Sequence, residues 1–210
     1  AIVGSGPITL TLAAQTGASL HWLASDTLKA ASDVALVAGS GSTLTLTGTN
    51  TINTGGILVT ATVGSNNQTI TGGNIIAPAT GEMIINNYNT NSNKTITISS
   101  VIGATGANNF GLTIMGTTGS VSLRTSTNTY TVQTVIYGGI LNVYNSNRIN
   151  SSSGLTLNGG QLTFAAAAGQ SQPLRLTLGA AGGTIDVSGA DATRNIISTS
   201  SVLFVGTGPR

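Results

Sequence analysis

Five glycine pairs, each opening a short aliphatic run, constrain this chain more than any other feature. They read Gly55-Gly56-Ile57-Leu58-Val59, Gly72-Gly73-Asn74-Ile75-Ile76, Gly138-Gly139-Ile140-Leu141-Asn142-Val143, Gly159-Gly160-Gln161-Leu162-Thr163-Phe164 and Gly182-Gly183-Thr184-Ile185-Asp186-Val187. The later pairs recur at a step of about 21 residues, and the interval from Gly73 to Gly139 holds about three such steps, which is the signature of a repeat architecture. Between the pairs stand segments that alternate strictly, such as Leu44-Thr45-Leu46, Ile96-Thr97-Ile98, Leu112-Thr113-Ile114, Leu155-Thr156-Leu157 and Leu176-Thr177-Leu178. Alternation with period two gives a strand with one apolar and one polar face. Each repeat therefore holds at least two short strands that meet at a glycine corner, where positive φ and the missing side chain let stacked backbones approach.

The fold this predicts is all-β: a parallel β-helix or β-solenoid of about ten rungs, on the order of 45 Å long at the spacing between paired strands. The runner-up is a β-sandwich, since Asn-rich stretches such as 86–93 can form hairpin turns, but the glycine period favours a coil. Residues 1–210 form one solenoid domain, with 13–33 as a candidate N-terminal capping segment. The apolar run Val202-Leu203-Phe204-Val205 has no evident cap and is expected to pair with more chain or with another molecule.

Composition narrows the function. Only 6% of residues are charged, and polarity comes from Thr, Ser and Asn, while the 40% hydrophobic fraction supplies a core. There is no cysteine and one histidine, His21, so disulfides, thiolate metal sites and redox chemistry are excluded and no cofactor is expected. The net charge of +2 comes from cations scattered singly along the chain. A nucleic-acid partner, which calls for a concentrated basic face, is not expected. No stretch approaches the length of a membrane-spanning helix. The start at Ala1 is compatible with a mature exported protein.

The segment Asn128-Thr129-Tyr130-Thr131, followed by Thr134-Val135-Ile136 and then Gly139-Ile140-Leu141-Asn142-Val143, resembles the passenger-associated transport repeat. Val132 stands where that family often carries glycine. The resemblance implies a right-handed β-helical passenger, of the kind autotransporters place on the surface of Gram-negative bacteria. Its repeats are structural, so it transfers no catalytic residue.

Candidate chemistry is sparse. The acids are Asp26, Asp33, Glu82, Asp186 and Asp191, no two of them one period apart; Asp186 and Asp191 with Arg194 suit a surface turn better than a catalytic centre. Trp22, beside His21, and Tyr137 and Tyr144, on either side of a glycine-pair strand, are the candidate contacts for glycans or a protein partner. Sequons at Asn67, Asn93 and Asn150 are expected by chance in so Asn- and Thr-rich a chain. The expectation is a non-enzymatic exported structural protein, a stalk, adhesin segment or surface-fibre or sheath subunit, that self-associates head to tail and can contact surface glycans or host proteins. The alternative is a polysaccharide-binding or polysaccharide-cleaving β-helix. The ten residues of the glycine pairs are expected to be structural corners.

Overall fold

The computed structural model describes residues 8–12, 16–23, 33–37, 42–61, 66–77, 81–91, 94–103, 109–125, 128–144, 148–149, 154–164 and 175–186. Among these residues sixteen strands form one continuous hydrogen-bonded sheet that coils on itself. They are β1 (Ile8–Leu12), β2 (Thr16–Leu23), β3 (Asp33–Val37), β4 (Ser42–Val59), β5 (Gln68–Ile76), β6 (Glu82–Asn87), β7 (Thr95–Ile98), β8 (Val101–Ile102), β9 (Gly111–Gly116), β10 (Ser120–Leu123), β11 (Thr134–Ile136), β12 (Ile140–Val143), β13 (Leu155–Leu157), β14 (Gln161–Phe164), β15 (Leu176–Leu178) and β16 (Thr184–Asp186). Every pairing among them is parallel. Parallel neighbours cannot be joined by hairpins, so the chain is a β-solenoid and not a sandwich.

The sheet resolves into two long ladders and a short third one. One ladder runs β1, the start of β4, the start of β5, then β7, β10, β12, β14 and β16. The other runs β2, the end of β4, then β6, β9, β11, β13 and β15. The third joins the middle of β4 to the end of β5 and to β8, and Thr129 N–H extends it by donating to the Ile102 carbonyl at 3.0 Å. β4 thus bends through three sides of the coil.

The solenoid makes about four regular turns, not the expected ten. They are β9 with β10, β11 with β12, β13 with β14 and β15 with β16. Upstream, partners lie further apart in sequence, Ser42 with Gln68 and Met83 with Leu112, than downstream, Leu155 with Leu176. A uniform short period taken from the downstream pairs overestimates the number of rungs.

Register turns the alternation of each strand into interior columns. In one ladder Ile57, Ile85, Ile114, Ile136 and Leu157 stack, all buried; in the other Leu44, Ile70, Ile98, Leu123, Val143 and Phe164 do so. Each aliphatic side chain is covered by its equivalents one turn above and below, worth roughly 1.5–3 kcal/mol for a fully buried Leu or Ile. The alternate positions are polar: Thr43, Thr69, Thr97, Ser122, Asn142, Thr163 and Asp186 are in register along the first ladder, and of these Ser122 is buried.

Within the segment 13–33, Thr16–Leu23 forms β2, which pairs with β4 on one side and β3 on the other. Residues 13–15 and 24–32 lie outside the described residues, as do Asp26, Asp191, Arg194, Asn93, Asn150 and 202–205. No helix among the described residues is long and apolar enough to cross a membrane.

Candidate functional site

The downstream glycine pairs form one corner column. Gly138–Gly139 lies between β11 and β12, Gly159–Gly160 between β13 and β14, and Gly182–Gly183 between β15 and β16. The corner is held across turns by backbone bonds: Gln161 N–H donates to the Gly139 carbonyl and Thr184 N–H to that of Gly160, each at 3.0 Å. Gly139 has φ 69°, in the left-handed region that side chains other than glycine rarely occupy. A Cβ on Gly138 would stand 2.8 Å from the Gly116 carbonyl oxygen, and one on Gly183 would stand 2.6 Å from Leu157 Cβ. Close backbone approach therefore excludes side chains here.

The two upstream pairs sit elsewhere on the coil. Gly72–Gly73 lies inside β5 and stacks on the bend of β4, where the register shifts between Leu46 and Thr49. Gly55–Gly56 lies inside β4, just ahead of the stretch that pairs with β6. The five pairs thus occupy three different corners of the coil, which is why their spacing upstream departs from that downstream.

The motif 128–131 is explained by packing between turns. Asn128 is buried; its Oδ1 accepts from Ile102 N–H at 2.9 Å and its Nδ2 donates to the Arg148 carbonyl at 2.5 Å, linking the turn before with the turn after. Tyr130 is wholly buried over Phe110, and its hydroxyl lies 2.6 Å from that of Thr134. Thr134 occupies an interior position between Leu112 and Leu155, so Tyr130 satisfies a hydroxyl inside an aliphatic column. Another asparagine works similarly at the glycine corner. Asn87, buried at the end of β6, donates through Nδ2 to the Ser120 carbonyl at 2.8 Å and accepts through Oδ1 from Asn89 N–H at 3.0 Å.

Among the candidate contact residues, Trp22 lies in β2 in register with Leu36 and Val59. Tyr137 is exposed at 51% in the corner between β11 and β12. Tyr144 follows β12 at its other end, so the two tyrosines flank β12 and do not form one patch. Tyr144 instead has a partner that sequence spacing did not suggest. Leu123 and Val143 are in register, which makes Arg124 and Tyr144 the next equivalents one turn apart. Arg124 Cζ stands 4.2 Å from the centroid of the Tyr144 ring, and its Nη1 donates to the Tyr144 hydroxyl.

Arg148 completes this edge. Its Nη1 donates to the Arg124 carbonyl oxygen, while its Nε is buried with no hydrogen-bond partner among the described residues. Burial, and then the neighbouring Arg124 charge, lower the Arg148 pKa below the ordinary arginine value by disfavouring the charged form. Two cations in succession are legible in the sequence only once the register brings residues 124, 144 and 148 together.

The acids are dispersed. Glu82 accepts from the Thr113 hydroxyl, and Asp186 accepts from Gln161 Nε2 at 3.4 Å. Among the described residues no three of His, Cys, Asp and Glu gather as a metal site would need. Asn67, the one sequon asparagine among them, accepts from Thr95 N–H at 3.0 Å. No known family model, characterised protein or solved structure matches the chain.

Proposed function

We propose that this chain is a length of exported β-solenoid rod, a non-enzymatic surface-fibre or sheath subunit, stalk or adhesin segment that associates end to end with further copies. The observation that carries the reading is the state of the last described turn. Leu157 and Leu162 are fully buried, whereas one turn later their register equivalents Leu178 and Ile185 are half-buried and 37% exposed respectively. A further parallel turn laid on β15 and β16, whether from residues 187–210, which lie outside the described residues, or from another copy, would bury both side chains and pair the outer edges of both strands. A head-to-tail contact of this kind does not close on itself, so its product is a filament. The resemblance of residues 128–143 to the passenger-associated transport repeat supports a bacterial cell-surface setting.

Light scattering over a broad concentration range, with electron microscopy of the same samples, tests the reading. Mass that grows with concentration and elongated particles are expected, with Ile185→Lys shifting the distribution towards monomer. Monomers at every concentration would remove the assembly part.

A further inference from the structure

The edge formed by Arg124, Tyr144 and Arg148 has two guanidinium groups and no carboxylate partner among the described residues. Between Glu82 and Asp186 the sequence contains no aspartate or glutamate at all, yet it contains Lys94, Arg124, Arg148 and Arg175. Loops outside the described residues in this region therefore cannot supply a carboxylate either. Arginines brought together without an acid repel each other, and burying a guanidinium nitrogen without a partner costs free energy. Here both conditions hold among the described residues: Arg148 donates to the backbone of Arg124, and its Nε is buried without a partner.

Arg124 is fixed for a second role. The Tyr144 ring supports one side of its guanidinium, and the Tyr144 hydroxyl takes one of its donors. Stacking of this kind holds a planar fork in one orientation, which reduces the entropy lost when the remaining donors meet an oxyanion. On the same ladder Thr97, Asn142 and Thr163 are partly exposed members of a polar row, with the buried Ser122 between Thr97 and Asn142 and adjacent strands about 4.8 Å apart. A guanidinium pair next to a regular hydrogen-bonding row suits a polymer that offers both oxyanions and hydroxyls.

We infer that Arg124, Tyr144 and Arg148 form a binding site for the carboxylate or sulfate group of an acidic polysaccharide, with the adjacent polar row of the first ladder contacting sugar hydroxyls. The inference does not depend on end-to-end assembly, because the site lies on the side of the coil.

Affinity electrophoresis and calorimetry of the full chain with polygalacturonate, dextran sulfate and neutral dextran test it. Binding to one or both anionic polymers, weakening as salt rises, is expected, with none to neutral dextran. Binding to polygalacturonate alone assigns the site to carboxylates, and to dextran sulfate alone assigns it to sulfates. Arg124→Gln and Arg148→Gln should each weaken binding about tenfold. Arg124→Lys should lose most of the effect too, since a point charge does not reproduce a stacked fork. Arg175→Gln and Lys94→Gln should leave affinity unchanged. Circular dichroism melting verifies that each variant is folded; should Arg148→Gln fail to fold, the exposed Arg124 variants decide. Equal binding of neutral dextran, unchanged affinity in the Arg124 variants, or equal weakening by Arg175→Gln would overturn the inference.

Discussion

Tyr130 stacks on Phe110 from the preceding turn, with ring centroids 6.2 Å apart and planes inclined by 29°. The pair fills the inside of the coil ahead of the β9–β11 ladder. Its apolar part contributes through burial and ring stacking, and its hydroxyl contributes through Thr134. These contributions can be separated. Tyr130→Ala removes the ring and should destabilise the protein by about 3–5 kcal/mol. Tyr130→Phe keeps the stack and removes the hydroxyl that bonds to Thr134, costing about 1 kcal/mol. Adding Thr134→Val to Tyr130→Phe should recover part of that loss, because the aliphatic column then contains no hydroxyl. Urea unfolding midpoints of the three variants check the order; equal losses for Ala and Phe would mean that the ring packing is immaterial.

Gln68 is an amide at the head of an aliphatic interior row, with Ser42 as its register partner on the other side. It is in register with Ile96, which stacks on Val121, Leu141 and Leu162 in turn. Its side chain is buried, and neither Oε1 nor Nε2 has a partner among the described residues. A buried amide without hydrogen bonds costs more than an apolar side chain of similar size. Gln68→Leu is therefore expected to stabilise the protein, by about 1–3 kcal/mol, read as a higher thermal midpoint. A fall in the midpoint would show that the amide has a partner that matters.

Much of this fold is legible in the sequence because a parallel coil repeats one local rule. Leu155-Thr156-Leu157 and Leu176-Thr177-Leu178 announce their strands by alternation, and the glycine pairs downstream of β11 mark one real corner. The rule gives no register. Nothing local distinguishes Gly72–Gly73, on one bend, from Gly159–Gly160, on another, so a single period runs through different corners and overcounts the turns. The Arg124–Tyr144 contact is invisible for the same reason: it exists because Leu123 pairs with Val143. Tyr137 and Tyr144, spaced like a shared face, are separated by the corner and strand between them.

Two glycines of the same corner column separate steric from conformational demand. A Cβ on Gly160 would lie far inside contact distance of Ile136 Cγ2 and 3.3 Å from Gly138 N, whereas one on Gly182 would meet nothing within 4 Å. Gly182, however, has φ 65°. Gly182→Ala should cost only the left-handed backbone strain, about 1 kcal/mol, and Gly182→Asn less, since asparagine tolerates this region. Gly160→Ala has to displace a buried side chain, for about 1–3 kcal/mol, and Gly160→Val should cost more. Thermal melts of the four variants check the ranking. If the two alanine variants changed places, backbone conformation would outweigh packing at this corner.

Asn128 is the side chain on which three successive turns converge, and its loss should be felt at a distance in sequence. Truncation to alanine leaves Ile102 N–H without its side-chain acceptor and the Arg148 carbonyl without the Asn128 donor. Each backbone group abandoned in a buried setting costs about 1–3 kcal/mol, so Asn128→Ala should lose about 2–4 kcal/mol in total, somewhat less than the sum if water reaches the Arg148 side. The sharper readout is local. In a solenoid each turn is stabilised chiefly by its neighbours, so amide hydrogen exchange at Ile102 should accelerate strongly, while that at Leu157, which is fully buried in β13 further along the coil, should change little. Uniform acceleration throughout the chain would mean that the coil opens as one unit and that Asn128 supports the whole stack instead of the junction between its own turn and the two beside it.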